Sequence, residues 1–346
     1  MKKILLIVDT QKWAFGYLAQ GIRKAAPSAY KVDVIDGQRM SRMFRELPHQ
    51  LREYDAACHF SWVEAPMPTA RKPIHFQRYA TVVASHGLEH PYPNLDPLNL
   101  ATSISTQLRN DVKAKERLPH FDRVLCVSDR LVKPAQQFST RVVRVVPGVD
   151  DEFFSPEIIA KLRAADPDKN RRFTVGWCAQ VPPEGRNNTK GAFEVLLPIM
   201  QRMGFTTPGT GEVEFIVNGR AAFNAYTRPQ MQKWFSLCDV ILSTSCSEGF
   251  QMPLLEGASC GLPVIATRVG GADELVRDGE NGILLPVWTT KENAEIAIEA
   301  GIAAIRRLAA DKELYRRMSD EARETVLRDY TWKRRSREWL EAIEGA

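Results

Sequence analysis

Cysteine pairs are missing from this chain. Its six cysteines, Cys58, Cys126, Cys178, Cys238, Cys246 and Cys260, are scattered, and none stands in a C-x-x-C spacing. That argues against structural zinc and reads as reduced thiols within a core. Long apolar runs are missing too, since none approaches the ~20 residues that span a bilayer. Met1-Lys2-Lys3 followed by Ile4–Val8 has the opening of a signal peptide. Its apolar part stops at Asp9 and no small-residue cleavage site follows, so a buried first β-strand is expected. There is no low-complexity segment and no detectable repeat. Gly209-x-Gly211 precedes a strand instead of following one, so it is not a dinucleotide fingerprint.

What is present suits a two-domain globular protein. The chain has 346 residues, 44% of them hydrophobic and 26% charged. Its net charge of +5 is unevenly spread, with 22 Lys+Arg against 13 Asp+Glu in residues 1–148 and 25 against 29 in residues 149–346. The halves therefore carry +9 and −4. A basic first half fits an anionic partner or an anionic membrane surface, and equally an ordinary solvated surface.

Short apolar runs alternate with helical patterns along both halves. Strands are expected at Ile4–Val8, Lys31–Ile35, Ala56–Phe60, Thr81–Ala84, Val124–Val127 and Val142–Val146. A helix is expected from Ala14–Phe15 to Lys24. Met40, Met43, Phe44, Leu47 and Leu51 recur at helical spacing with arginines between them. That segment reads as a sheet-covering helix, with a membrane-surface helix as the alternative. Val146-Pro147-Gly148-Val149-Asp150 marks a linker. Beyond it, strands are expected at Phe173–Cys178, Val213–Val217, Val240–Ser243, Pro263–Thr267 and Gly282–Leu285. Helix follows from about Lys291 to the end, with a break near Thr331. The pattern predicts two doubly wound α/β domains facing across a cleft, with ligands beyond the carboxyl ends of the strands.

The stretch from Glu248 to Glu256 concentrates the chemistry. Val240–Ser243 as a strand, a loop through Gln251, and a helix over Met252–Ser259 put Pro253 in the first turn, with Cys260-Gly261 closing the helix. Gly249, Phe250 and Gln251 then sit at a helix N-terminus, which favours anions. Glu248 lies just before the helix and Glu256 about one turn inside it. Spacing alone admits two readings, a capped surface helix with solvated glutamates or a site for hydroxyl-bearing ligands.

The wider context carries a family resemblance. Asp239-Val240, Glu248-Gly249-Phe250 with Pro253 and Glu256, Gly261-Leu262-Pro263-Val264-Ile265-Ala266, Gly270-Gly271, Glu274-Leu275-Val276 and Asp278-Gly279-Glu280-Asn281-Gly282 follow in order. This resembles the donor-binding signature of glycosyltransferase family 4, of the GT-B fold. Phe121–Pro156 is similar to that family's interdomain stretch, and Tyr330-Thr331-Trp332 looks like its aromatic pair before a terminal helix. The resemblance covers most of residues 120–346.

By resemblance, the fold is GT-B. Residues 1–148 would form an acceptor-binding Rossmann-like domain, 149–330 a nucleotide-sugar-binding one, and a helix at about 331–346 would cross back to the first. Glu256 would hold the ribose hydroxyls and Glu248 the transferred sugar. The loop amides of Gly249, Phe250, Gln251 and Met252 would contact sugar and phosphate. Lys190, followed by Gly191, matches the family's phosphate-binding lysine. His86 would contact the sugar or orient the acceptor, and Gly16 would belong to the first glycine loop. The chain departs from the family at Trp177, where an arginine is usual after Gly176, and Arg186 is the candidate to supply that charge.

The resemblance implies a retaining, metal-independent hexosyl transfer from a UDP- or GDP-sugar to a glycan or polyprenyl-linked lipid, in cell-envelope or surface-glycan synthesis. No cofactor and no nucleic-acid partner are expected. The expected location is the cytoplasm, peripheral on the inner face of the plasma membrane through the basic domain. A non-catalytic nucleotide-binding GT-B protein and a sugar-nucleotide epimerase on the same fold are the alternatives. His86-Gly87-Leu88-Glu89-His90 spells a zinc-peptidase motif, but Gly87, Pro91 and Pro93 oppose the helix that motif requires.

Overall fold

The structure, a computed structural model, describes residues 1–9, 14–37, 51–60, 78–83, 111–165, 171–180, 189–220 and 226–345. His86, the His86–His90 motif, Arg186 and the Met40–Leu51 segment apart from Leu51 lie outside them. The described residues form two compact units. Of the described residues, those in 1–83, 111–148 and 330–345 build one, and those in 149–329 the other.

The first unit holds β1 (Lys2–Val8), β2 (Tyr30–Asp36), β3 (Ala56–His59), β4 (Tyr79–Val83), β5 (Arg123–Cys126) and β6 (Val142–Arg144). They form one sheet in the order β2-β1-β3-β4-β5-β6, parallel throughout. Ile4–Val8 is fully buried, as a central strand covered on both faces requires. Helix α1 (Ala14–Lys24) follows β1. The last helix of the chain, Trp332–Glu344, belongs to this unit. Its Trp339 is fully buried, stacks on Phe60 at 5.7 Å between ring centroids, and donates from Nε1 to the Val146 carbonyl at 2.8 Å. Ser336 Oγ donates to the Ala25 carbonyl at 2.7 Å.

The second unit holds β7 (Thr174–Gln180), β8 (Glu214–Arg220), β9 (Val240–Ser243), β10 (Val264–Thr267) and β11 (Gly282–Leu285). Their order is β11-β10-β9-β7-β8, again parallel. Asp239 pins the amino ends of β7 and β9 together. It accepts the Thr174 N–H at 2.9 Å and pairs with Arg171 and Arg163. Trp177 and Trp288 are wholly within this unit's core.

All six cysteines are free, and burial pushes the thiols of Cys58, Cys126, Cys238, Cys246 and Cys260 up. Among the described residues, no helix is long and apolar enough to cross a membrane.

Candidate active site

Topology locates the site in the second unit. The chain leaves β7 towards β8 on one side and then returns to β9 on the other. Loops leaving the carboxyl ends of such neighbours diverge, and the crevice between them is where open α/β sheets take ligands. Lys190 lies on the connection after β7, and Glu248 lies on the loop after β9.

The two meet there. Lys190 Nζ donates to Glu248 Oε1 at 2.5 Å, and Ser245 Oγ donates to the same oxygen at 2.8 Å. Their side chains keep 27% and 13% of their surface exposed, so the pair stands at the rim of the core and not in bulk water. Ser245 is itself held, because Thr267 Oγ1 donates to its carbonyl.

The Glu248 loop lies hard against the turn after β10. Gly270 adopts φ +53°, and a Cβ there would fall 2.4 Å from the Glu248 carbonyl oxygen and 2.6 Å from that of Gly249. Gly271 donates its N–H to the Gly249 carbonyl at 2.8 Å and carries the Phe250 ring where a side chain would otherwise stand. The Gly270-Gly271 pair is thus the surface on which the Glu248–Phe250 loop rests.

Helix α2 (Met252–Ser259) begins directly after that loop. Gln251 is its cap, buried, and its carbonyl accepts the Leu254 N–H at 3.1 Å. Its Nε2 is buried with no hydrogen-bond partner among the described residues. A buried amide donor without a partner among the described residues costs stability, so Gln251 is a group open to an acceptor. Glu256 lies about one turn further along the helix. Dense packing around its carboxyl raises its pKa to about 8, against a weaker opposing pull from Arg228.

The approach of Lys190 differs from a plain helix start. Gly191 takes a left-handed conformation at φ +69°, and the residues after it, Ala192–Leu196, form a π-helical turn before the α-helix Leu197–Arg202. Val195 N and Leu196 N share the Gly191 carbonyl at 3.1 and 2.9 Å. Pro198 supplies the reason, since it has no N–H to give to an i−4 carbonyl and its ring would crowd one.

Lys190, Glu248, Gly249, Phe250, Gln251, Met252 and Glu256 therefore occupy one loop cluster and helix of the second unit. Gly16 does not sit in the first loop as expected. It is in the first turn of α1, buried, because the helix already begins at Ala14. Trp177 is not aimed at the crevice either; its ring is in the core and its Nε1 donates to Thr244 Oγ1 at 2.9 Å. Sequence reasoning missed Thr244, Ser245 and Thr267. The signal was the hydroxyl run Ser243-Thr244-Ser245 at the carboxyl end of β9.

Residues 207–306 match the family described as Glycosyl transferases group 1. Glu248, Gln251 and Glu256 fall inside the matched residues, and Lys190 lies ahead of them in sequence. The chain is 38% identical over 95 residues to an N-acetyl-alpha-D-glucosaminyl L-malate synthase of Bacillus anthracis, covering 28% of this chain and 23% of that protein. It is 28% identical over 208 residues to an uncharacterized glycosyltransferase of Methanocaldococcus jannaschii, covering 54% of this chain and 53% of that protein. The chain thus spans about half, or less, of these curated relatives. Among solved structures, Anabaena HepE in complex with UDP and glucose aligns over 100% of both chains, with a TM-score of 0.67 at 17% identity. The two units have the GT-B fold.

Proposed function

We propose that this chain is a retaining glycosyltransferase moving a sugar from a nucleoside diphosphate to a hydroxyl acceptor. The observation that carries the reading is the Lys190–Glu248 pair at the carboxyl ends of β7 and β9, with the Gln251 amide, which has no partner among the described residues, at the start of α2. An arriving diphosphate offers Lys190 a more highly charged partner than one carboxylate. Lys190 then neutralises the leaving group, and the released Glu248 accepts hydrogen bonds from the sugar hydroxyls. Glu256 faces the nucleoside ribose. The bond from the anomeric carbon to the diphosphate breaks, the acceptor oxygen bonds on the same face, and its proton passes to the departing phosphate oxygen. With Lys190 supplying the positive charge, the transfer needs no bound metal, and a chelator should leave the rate unchanged.

HepE holds UDP and glucose, so a UDP-sugar is the first donor to test against GDP-, ADP- and TDP-sugars by thermal shift. Binding followed by acceptor-dependent release of the nucleoside diphosphate supports transfer. Binding with no turnover across donors and acceptors favours the non-catalytic alternative, and an isomerised sugar without acceptor favours the epimerase. The acceptor we propose is a glycan or polyprenyl-linked lipid met at the inner membrane face by the basic first half. Sedimentation with anionic vesicles, abolished by high salt, is the expected behaviour.

A further inference from the structure

Trp177 lies in the middle of β7, three residues before its carboxyl end, with its ring in the core and not at the crevice. Its indole N–H can only donate, and it donates to Thr244 Oγ1 at 2.9 Å. A hydroxyl has one proton to give, and with a lone pair already filled by Trp177 that proton is directed at the Lys190 carbonyl, 2.8 Å away. The Gly191 carbonyl lies further off, at 3.3 Å. On the other side of the same residue, Trp288 Nε1 donates to the Thr244 carbonyl at 2.8 Å. A parallel rung joins Cys246 N to the Thr189 carbonyl at 2.8 Å. The turn lies flush against this support, since a Cβ on Gly191 would come within 2.3 Å of the Thr244 oxygen and 2.8 Å of the Trp288 ring. Trp177, Trp288 and Thr244 are all essentially without solvent exposure.

The geometry points to Trp177, Thr244 and Trp288 as positioning residues that fix the backbone of Lys190, so that its side chain reaches Glu248 from a rigid base. The assignment rests on the reading of Lys190 as a donor-site residue only where activity is concerned; the relay itself is a property of the ligand-free protein.

Two measurements test it. In the first, ligand-free protein is acylated with an amine-reactive reagent, and the modification rate of Lys190 is followed by mass spectrometry. Trp177→Phe, which keeps the ring and loses the N–H, and Thr244→Val, which keeps the shape and loses the hydroxyl, should speed Lys190 labelling about three- to tenfold, the scale of one hydrogen bond. Thr244→Ser should restore the wild-type rate. Unchanged labelling in both variants, or a serine variant that behaves like valine, overturns the relay. In the second, UDP affinity is measured by calorimetry for Trp177→Phe alone and combined with Lys190→Ala. A loss of affinity that disappears in the Lys190→Ala background shows action through Lys190, and an equal loss in both backgrounds overturns it. Wild-type protein that binds no UDP counts against the donor site, and the labelling rates then decide the relay alone.

Discussion

Lys190 and Glu248, 58 positions apart in the chain, are joined by a 2.5 Å ion pair whose acceptor oxygen also takes a hydrogen bond from Ser245. The pair links the loops after two adjacent strands, β7 and β9, at the point where the strand order turns back on itself. The two charges satisfy each other in the ligand-free protein, so under the proposed function donor binding exchanges partners as well as making contacts.

Lys190→Ala separates stability from function. Glu248 keeps Ser245 and partial exposure, so the loss of stability should be about 1 kcal/mol. Turnover should fall at least about tenfold, since a charge facing the developing diphosphate is removed. Urea unfolding and steady-state rates measured together check this. Full activity in the variant removes Lys190 from the leaving-group role.

Gly270→Ala should act through the loop and not through any ligand contact. The new methyl would meet the Glu248 and Gly249 carbonyl oxygens inside van der Waals distance, at a positive φ that alanine disfavours. A cost of about 1–3 kcal/mol is expected, with weaker nucleotide-sugar binding because Glu248 is displaced. A variant as stable as wild type would mean the turn after β10 does not support the site.

How much of this was legible beforehand depended on punctuation. The limits of β9 and α2 follow from Asp239 before the strand, Pro253 in the first helical turn and Gly261 after the last, and the structure repeats them. Strand β6 ends at Arg144 and not at Val146: Val145 still donates to Cys126, but Pro147 has no N–H to continue the ladder. The π-helical turn after Lys190 was not legible, because Pro198 looks like an ordinary first-turn proline until the preceding ladder is counted. Trp177 read only as a missing arginine. Its partner Thr244 is 67 positions away, and only the closure of β7 against β9 brings them together.

Trp339 ties the terminal helix to the first unit by two different means. Trp339→Phe should keep the stack on Phe60 and cost about 1 kcal/mol, because the Val146 carbonyl loses its donor. Trp339→Ala should cost about 3–5 kcal/mol by emptying a fully buried site. Denaturant midpoints for the two variants give the split, and equal losses would show that packing contributes little beyond the hydrogen bond.

The raised pKa of Glu256 makes a signed prediction about pH. Burial lifts the carboxyl from 4.5 to about 8, while Arg228 pulls the other way. Between those values the folded protein holds a proton that the unfolded chain has lost. Stability from this group is therefore complete below the lower value and is lost as pH rises through the higher one, with a slope of at most ~1.4 kcal/mol per pH unit. Burial raises Asp239 as well, so the wild-type profile alone does not isolate Glu256. The comparison with Glu256→Gln does: the glutamine variant should lose less stability than wild type between about pH 5 and about pH 8. Nucleotide binding should move in the opposite sense. Ribose hydroxyls donate best to a carboxylate, so affinity should rise as Glu256 ionises and stay flat in the glutamine variant. Parallel urea titrations and calorimetric binding at the two pH extremes measure both effects, and profiles that coincide for wild type and variant would remove Glu256 from the nucleoside.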